Sequence, residues 1–442
     1  MIYTVKSGDT LYRIAETTGT TVQQLVDANG LTRPNDLVIG QNLFIPSGEP
    51  QVGTYTVQRG DTMYLIARRY GIPLQTLINA NPQISNPNLI QIGQVISIPN
   101  TRPSIEVNGY AIANISENTL SRTIPYLTYL SIFSYQARPD GSLTNLYETS
   151  LISQAYNGNV APVMVVTNIG DNGGFDSDLA STILNNPSIQ TTFINNIIST
   201  LTAKNYYGLD IDFEYLFPQD KEAYINFLRT LKAELDRIGK PLSVAVAPKY
   251  RDNQEGILYE AHDYRAIGEI ADRVIIMTYE WGYVYGEPMA ISPLSEVEAV
   301  ISYAVTRIPS NKILMGMPNY AYDWKVPFVQ GDIANTITNT RALEIAIENG
   351  ASINFDPKAQ APYFNYTDSN GIARVVWFDD AKSIDARLNL VTKYNLAGVS
   401  YWTINNFYPV NWSVLSNKFN ITKVVWVFIN ITFQSKTLSK CK

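Results

Sequence analysis

The run Tyr206-Tyr-Gly-Leu-Asp-Ile-Asp-Phe-Glu-Tyr215 places acidic and apolar residues in strict alternation. Because successive side chains of a β-strand point to opposite faces, the run predicts a strand with Asp210, Asp212 and Glu214 on one face. At ~3.3 Å rise per residue, neighbouring carboxyl groups would lie about 6.5 to 7 Å apart. Crowded carboxylates disfavour one another's ionisation, so one acid is expected to stay protonated near neutral pH. We interpret the run as a strand that carries an acid/base site.

The three acids allow two other interpretations, an exposed edge strand and a metal-ion site. An exposed edge strand would carry the charges outward, but the flanking residues of the run are apolar or aromatic. Three carboxylates also suit Mg²⁺ or Ca²⁺, yet such ligands normally come from a Gly- and Asn-rich loop, whereas this run is a hydrophobic strand. We favour the acid/base site and expect neither a metal ion nor another cofactor.

Beyond position 104, strand-like apolar runs alternate with amphipathic segments. In the segment 224–235, apolar residues recur at the spacing of one helix face, and the segment 193–201 is similar. Strands that alternate with helices over about 300 residues predict an α/β fold, a (β/α)8 TIM barrel, with active residues at the carboxyl ends of the strands. We place this domain at residues 104–423. A polar, Tyr-rich segment at about 319–380 predicts a small α+β insertion beside the cleft.

The amino-terminal part contains an internal repeat. Tyr3-Thr-Val-Lys-Ser-Gly-Asp-Thr-Leu-Tyr-Arg-Ile-Ala15 matches Tyr55-Thr-Val-Gln-Arg-Gly-Asp-Thr-Met-Tyr-Leu-Ile-Ala67, and both copies later close on Ile-Gly-Gln and Ile-Pro. The pattern predicts two small βααβ units, here called module 1 (residues 2–46) and module 2 (residues 54–99). Short linkers containing Pro and Gly predict that both modules lie close to the barrel.

The acidic run resembles the end of the D-x-x-D-x-D-x-E signature of glycoside hydrolase family 18, which includes chitinases and N-acetylglucosaminidases. Two positions depart from the family pattern: Tyr207 replaces the first Asp of the signature, which predicts a shorter or rebuilt carboxylate relay, and Glu280 replaces the Asp of an M-x-Y-D motif. Five further stretches resemble barrel strands of the family in the family's order: Ile132-Phe-Ser-Tyr135, Pro162-Val-Met-Val-Val-Thr167, Met277-Thr-Tyr-Glu-Trp281, Met315-Gly-Met-Pro-Asn-Tyr-Ala-Tyr-Asp-Trp324 and Gly398-Val-Ser-Tyr-Trp402.

The resemblance implies roles for the residues of the site. Glu214 would be the general acid, Asp212 would orient the 2-acetamido group of the substrate, and Asp210 would be a relay or structural carboxylate. The acetamido oxygen, rather than a protein group, would attack the sugar, with retention of configuration. Tyr279 would bind the acetamide and Trp402 would stack beneath the sugar. Further candidates for substrate contact are Met277, Glu280 and Tyr135.

The repeats resemble LysM modules, which bind the N-acetylglucosamine-containing backbone of peptidoglycan or chitin. A Gly-Asp-Thr sequence is equally a good turn and helix cap, so sugar contact and a purely structural role both stay open. Two modules on one chain gain avidity on a repeating polymer. The candidate sugar contacts are Gly8, Asp9, Thr10 and Leu11 in module 1, and Gly60, Asp61, Thr62 and Met63 in module 2.

Composition excludes several classes of function. The net charge of −6 argues against nucleic acid or an anionic membrane as a partner. Separately, we expect the protein to be a monomer. Cys441 is the single cysteine, so no intrachain disulfide forms. His262 is the single histidine, which argues against a Ser-His-Asp triad or a His-based zinc site. A lone histidine still allows a role as a base, but we expect an ordinary surface or capping residue.

Targeting signals are absent from the first residues, which lack a basic region followed by an apolar one, and no apolar stretch is long enough to span a membrane. Two stretches resemble sequences of the bacterial spore branch of the family: Met277–Trp281 and Val376-Trp-Phe-Asp-Asp-Ala-Lys-Ser-Ile384. Members of that branch are made in the mother cell and laid onto the spore without a signal peptide. The tail 424–442 is first apolar and then basic, and the sequence assigns it no role.

The resulting prediction is a peptidoglycan hydrolase of the spore cortex that cleaves N-acetylglucosaminyl bonds. A chitinase or an endo-N-acetylglucosaminidase on the same fold remains an alternative. A catalytically silent carbohydrate-binding barrel is another, although inactive members of the family generally lose the terminal acid and Glu214 is present.

Overall fold

A computed structural model describes residues 1–46, 53–70, 72–99 and 102–424. From residue 425 onward the tail lies outside the described residues, as does most of the linker between the modules. Within the described part of the chain, no helix is long and apolar enough to cross a membrane.

Each module is a two-stranded antiparallel sheet covered by two helices, which confirms the predicted βααβ pattern. Module 1 consists of β1 (Ile2–Thr4), α1 (Leu11–Thr18), α2 (Val22–Asn29) and β2 (Asn42–Phe44). Module 2 consists of β3 (Gly53–Thr56), α3 (Met63–Arg69), α4 (Leu74–Asn79) and β4 (Val95–Ile98). Helices α1 and α3 begin after Thr10 and Thr62, whose hydroxyls accept hydrogen bonds from backbone amides three residues later.

Parallel strands then alternate with helices along the chain. The first strands are β5 (Ser104–Ile112), β6 (Tyr129–Gln136), β7 (Ala161–Thr167), β8 (Gly208–Asp212), β9 (Leu242–Val246), β10 (Arg273–Ile276) and β11 (Ile313–Pro318). The helices between them are α5 (Glu117–Thr123), α6 (Thr149–Asn157), α7 (Ser177–Asn185), α8 (Pro187–Ala203), α9 (Lys221–Arg237), α10 (Tyr264–Ile270) and α11 (Leu294–Ala304). The amphipathic segments 193–201 and 224–235 lie in α8 and α9, as predicted.

A small α+β unit is inserted after β11, as the sequence predicts. The elements are β12 (Ala321–Lys325), β13 (Asn335–Ile337), α12 (Asn339–Glu348), β14 (Asn354–Asp356), β15 (Ala361–Thr367) and β16 (Ala373–Trp377). The five strands form an antiparallel sheet in the order β13, β12, β16, β15, β14.

The last elements close the barrel. They are α13 (Ala381–Lys393), β17 (Gly398–Trp402), α14 (Pro409–Lys418) and the short β18 (Asn420–Ile421). Strand β17 pairs in parallel with both β11 and β5, so eight parallel strands form a closed cylinder surrounded by helices. The fold is therefore the predicted (β/α)8 barrel.

Strand β8 separates its two kinds of side chain as the alternation predicts. Leu209 and Ile211 of the strand, and Phe213 just after it, are buried in the main core. The ring of Phe213 stacks on Phe227 of α9, with 6.0 Å between the ring centroids. Asp210 faces the interior of the barrel, where it accepts hydrogen bonds from residues of other strands. The regular strand ends at Asp212, so Glu214 follows the strand rather than lying within it.

Candidate active site

A cleft of about 590 Å³ opens at the carboxyl ends of the barrel strands. Most of the predicted site residues line it: Asp212, Glu214, Met277, Tyr279, Glu280 and Trp402. They come from three positions around the barrel: the end of β8 and the residues just after it, the segment after β10, and the end of β17. The closure of the cylinder brings them together. This is the edge at which barrel enzymes carry their active sites.

Asp210 lies beneath this cleft and is fully buried. The hydroxyl of Tyr110 donates to its Oδ2 atom at 2.6 Å, and the hydroxyl of Ser243 donates to its Oδ1 atom at 2.5 Å. Burial raises the pKa of Asp210 to about 6, although both hydrogen bonds lower it. The sequence did not identify these two donors, which lie on β5 and β9 and reach Asp210 only in the closed barrel.

Asp212 and Glu214 form a coupled pair of acids. Burial, followed by the charges of Glu214 and Asp210, raises the pKa of Asp212 well above its ordinary value. Burial and the charge of Glu280 raise the pKa of Glu214 to about 7. Among the described residues, Asp212 Oδ1 is buried without a hydrogen-bond partner. The pair therefore holds a proton near neutral pH and offers a free polar atom to a ligand.

The backbone of Glu214 is held by a side chain from the neighbouring strand. The buried Asn168, just after β7, accepts a hydrogen bond from the Glu214 amide and donates one to the Glu214 carbonyl, both at 2.9 Å. A two-point contact of this kind fixes the direction in which the Glu214 side chain leaves the backbone. Sequence reasoning missed Asn168, which directly follows the stretch 162–167.

Glu280 adopts a left-handed backbone conformation, with φ +67°, at the rim of the cleft. Its carboxylate accepts hydrogen bonds from the hydroxyls of Tyr320 and Tyr322. Burial raises the pKa of Glu280, whereas the two tyrosine hydrogen bonds lower it and so favour the charged form. Both tyrosines lie in the stretch 315–324. Their hydroxyls reach Glu280 because of the way the chain folds where the insertion begins, which the stretch itself does not reveal.

Aromatic rings form the floor and walls of the cleft. Trp402 contacts Phe133 and Tyr110 edge to face, with centroids 4.8 and 5.5 Å apart. On another wall, Phe175 lies beside the exposed Tyr215 at 6.3 Å. Flat apolar faces next to carboxylates suit a sugar ring, which presents both C–H and hydroxyl surfaces.

The prediction that Tyr135 contacts the substrate is not supported by its position. Tyr135 is buried in the main core, where its hydroxyl donates to Glu148 at 2.9 Å. The pairing of β6 with β7 shifts between Ile132 and Tyr135, which changes the face on which the following side chains lie. Phe133 lines the cleft instead.

His262 is buried, contrary to the expectation of a surface or capping residue. Its Nδ1 atom accepts from the Ala247 amide at 3.0 Å, so Nε2 carries the proton that it donates to the Phe213 carbonyl at 2.9 Å. Burial lowers the pKa of His262 to about 4, so the ring is neutral at pH 7. The His262 ring therefore links the backbone of Ala247, just after β9, to the backbone of Phe213, which lies between Asp212 and Glu214.

Tyr207, the first departure from the family signature, lies at the opposite end of the barrel. It lines a separate cavity of about 200 Å³ at the amino ends of the strands, and its ring lies 6.2 Å from that of Tyr129. This departure therefore does not touch the cleft. Within the described residues, no group of three or more His, Cys, Asp or Glu side chains is arranged to hold a metal ion.

The candidate sugar-binding turns of the modules divide into exposed and internal residues. Asp9 and Asp61 accept hydrogen bonds from Tyr3 and Tyr55, and from backbone amides of their own turns. The structure thus gives these side chains a turn-forming role. Gly8, Thr10, Gly60 and Thr62 are exposed, whereas Leu11 and Met63 are buried in the module cores, so their side chains are unavailable to a ligand.

Comparisons with known proteins agree with this geometry. The model of glycosyl hydrolases family 18 matches residues 116–406, and the LysM domain model matches residues 3–46 and 55–99. The chain is 41% identical to the cortical fragment-lytic enzyme of Bacillus subtilis (strain 168), in an alignment that covers 96% of this chain and 99% of that protein.

Solved structures give the same result. The spore cortex-lytic enzyme SleL of Bacillus megaterium QM B1551 is 40% identical and superposes with a TM-score of 0.83, covering 96% of this chain and 99% of that one. SleL of Bacillus cereus superposes with a TM-score of 0.82 at the same identity and coverage. The protein is therefore a glycoside hydrolase that belongs to family 18 and carries two LysM domains.

Proposed function

We propose that this protein hydrolyses N-acetylglucosaminyl bonds in the peptidoglycan of the bacterial spore cortex. The observation that carries the proposal is the pair of acids in the cleft: Glu214, whose pKa is raised to about 7, next to the buried Asp212 with its free oxygen. Support for the substrate comes from the relatives named for cortical fragments and spore cortex, which align over nearly their whole length.

In the proposed mechanism the substrate supplies its own nucleophile. Glu214 donates its proton to the glycosidic oxygen, and the bond from that oxygen to C1 breaks while the 2-acetamido oxygen bonds to C1. Asp212 orients the acetamide and balances the positive charge of the cyclic intermediate, and Tyr279 donates a hydrogen bond to it. Water then attacks C1, the bond from C1 to the acetamido oxygen breaks, and the water gives a proton to Glu214, which restores the acetamido group and the enzyme and retains the configuration at C1.

The other residues of the cleft have supporting roles in this proposal. Trp402 stacks beneath the reacting sugar, with Met277 and Glu280 at its sides. Asp210 lies below Asp212 and accepts hydrogen bonds from Tyr110 and Ser243. Together with burial, its charge helps to raise the pKa of Asp212. The two modules hold the enzyme on the insoluble glycan by avidity, so the protein acts at the spore.

The decisive experiment identifies the new reducing ends. Spore-cortex fragments are incubated with the full-length protein, reduced with borohydride, and separated by liquid chromatography with mass spectrometry. We expect reduced N-acetylglucosamine at the new ends, and none after incubation with the Glu214→Gln variant. Reduced muramic acid would contradict the proposal, and so would a strong preference for chitin oligomers over cortex fragments.

A further inference from the structure

Modules 1 and 2 share a sequence pattern but have different environments. In module 2, the residues of β4 alternate between exposed and buried, as expected for a strand with one face in water. In module 1, all three residues of β2 are buried. One face of β2 covers the helices of its own module, so the other face is covered by a different part of the chain.

The catalytic domain covers that second face. Asn42 of β2 donates a hydrogen bond to Asp380 at 2.6 Å, with both side chains buried. Asp380 also caps helix α13, so the contact is made with a fixed element. Phe44 packs into the main core of the barrel, and Val38 belongs to the apolar cluster of the insertion. The cavity left along this contact measures only about 20 Å³.

Two glycines show how closely the surfaces approach. A Cβ added at Gly40 would lie 1.9 Å from the carbonyl oxygen of Ile353. The backbone amide of Ile353 also donates a hydrogen bond to the carbonyl of Ile39 at 2.9 Å. A Cβ at Gly30 would lie 2.7 Å from the ring of Pro409, at the start of α14. Gly93 is the residue of module 2 that corresponds to Gly40, and a Cβ there would have no atom of the described residues within 4 Å.

The repeats differ in sequence at three of the positions that make this contact. Asn42 and Phe44 correspond to Val95 and Ser97 in module 2, and both of the latter are exposed. Gly30 corresponds to Pro82. Three residues that contact the catalytic domain therefore differ between module 1 and its repeat.

We infer that module 1 is a fixed part of the catalytic body, docked through β2 and the end of α2 onto the insertion, α13 and α14. The docked module holds its candidate sugar-binding turn in one orientation relative to the cleft. The docked module keeps that turn open, because Gly8 and Thr10 are exposed and a Cβ at Gly8 would meet no atom within 4 Å in the part of the chain that the structure describes. The second half of the inference rests on the proposed function: module 1 sets where the polymer lies relative to the cleft, and module 2 adds a further attachment.

A matched pair of glycine variants in the full-length protein tests the docking. Gly40→Ala and Gly93→Ala place a side chain at nearly equal left-handed φ angles, +88° and +83°, so their backbone strain is alike. Only Gly40→Ala meets the backbone of Ile353. Hydrogen–deuterium exchange followed by mass spectrometry should show ~10-fold faster exchange in the peptide that contains Ile353 for Gly40→Ala, and a change within about twofold for Gly93→Ala.

A second pair covers the case in which Gly40→Ala does not fold. Asn42→Val introduces the residue of module 2 and leaves Asp380 without this donor, and Val95→Asn is its reciprocal control. Faster exchange around Ile353 in Asn42→Val, with no change in Val95→Asn, supports the docking. Equal responses at the paired positions, or unchanged exchange in both module 1 variants, would overturn it.

The functional half has a separate readout. Rates on spore-cortex fragments and on short soluble N-acetylglucosamine oligosaccharides are compared for the folded module 1 variants and for wild type. We expect the rate on fragments to fall about tenfold more than the rate on oligosaccharides. Equal losses on both substrates would overturn the orienting role. A wild-type protein that cleaves neither substrate would refute the proposed function, whereas the exchange result would stand.

Discussion

Replacing Glu280 by Gln should move the alkaline limb of the pH–rate profile to lower pH. The general acid must be protonated to act, so the alkaline limb of kcat/KM reports its pKa in the free enzyme. The charge of Glu280 disfavours ionisation of Glu214. Gln removes this charge but keeps the side-chain length and an oxygen that can accept from Tyr320 and Tyr322. The pKa of Glu214 should therefore fall.

The structure also bounds the size of this shift. The pKa of Glu214 rises from an ordinary value of 4.5 to about 7, and burial is a larger cause than the charge of Glu280. Less than half of the rise therefore belongs to Glu280, and the limb should move by roughly 0.5 to 1 pH unit.

The assay is kcat/KM on a soluble N-acetylglucosamine oligosaccharide between pH 4.5 and 9. Glu280→Asp, which keeps the charge and restores the residue usual in the family, is the matched control and should leave the limb near its wild-type position. An unchanged limb in Glu280→Gln, or one displaced to higher pH, would refute the electrostatic coupling of the two residues.

Four further outcomes are expected. Glu214→Gln should keep sugar binding, measured by calorimetry, but lose roughly 10² or more in turnover, and near-normal turnover would refute its role as the acid. Tyr320→Phe removes a hydrogen bond that lowers the pKa of Glu280; Glu280 then takes up a proton more readily, and the alkaline limb should again shift to lower pH. Oligosaccharides without N-acetyl groups should be inert and a thiazoline analogue should inhibit tightly, whereas a covalent glycosyl-enzyme on Asp212 in mass spectra would contradict substrate assistance. Dialysis against EDTA should leave the rate unchanged, and a loss restored by Mg²⁺ or Ca²⁺ would revive the cation interpretation of the acids.

The sequence predicts the acids of β8 well because a two-residue period is a local property of the chain. The partners of Asp210 are a different matter. Tyr110 and Ser243 lie 100 and 33 residues away along the chain, and only barrel closure brings their hydroxyls to this carboxylate. No local pattern contains that information.

Two residues show how tertiary structure overrides local expectation. An irregularity in the pairing of β6 moves Tyr135 into the core, although its motif resembles a cleft strand of the family. His262 lies in a segment without regular structure, where a polar residue usually faces water, yet it is buried because two backbone groups satisfy its ring.

The most direct test of the central claim is the configuration of the first product. Proton NMR during the first minutes of hydrolysis of an N-acetylglucosamine oligosaccharide distinguishes the two anomers before they equilibrate. Attack by the acetamido oxygen, followed by water, gives two inversions, so we predict that the new reducing end first has the configuration of the bond that was cleaved. A first product of the opposite configuration would mean direct attack by water and would contradict the mechanism assigned to Glu214 and Asp212.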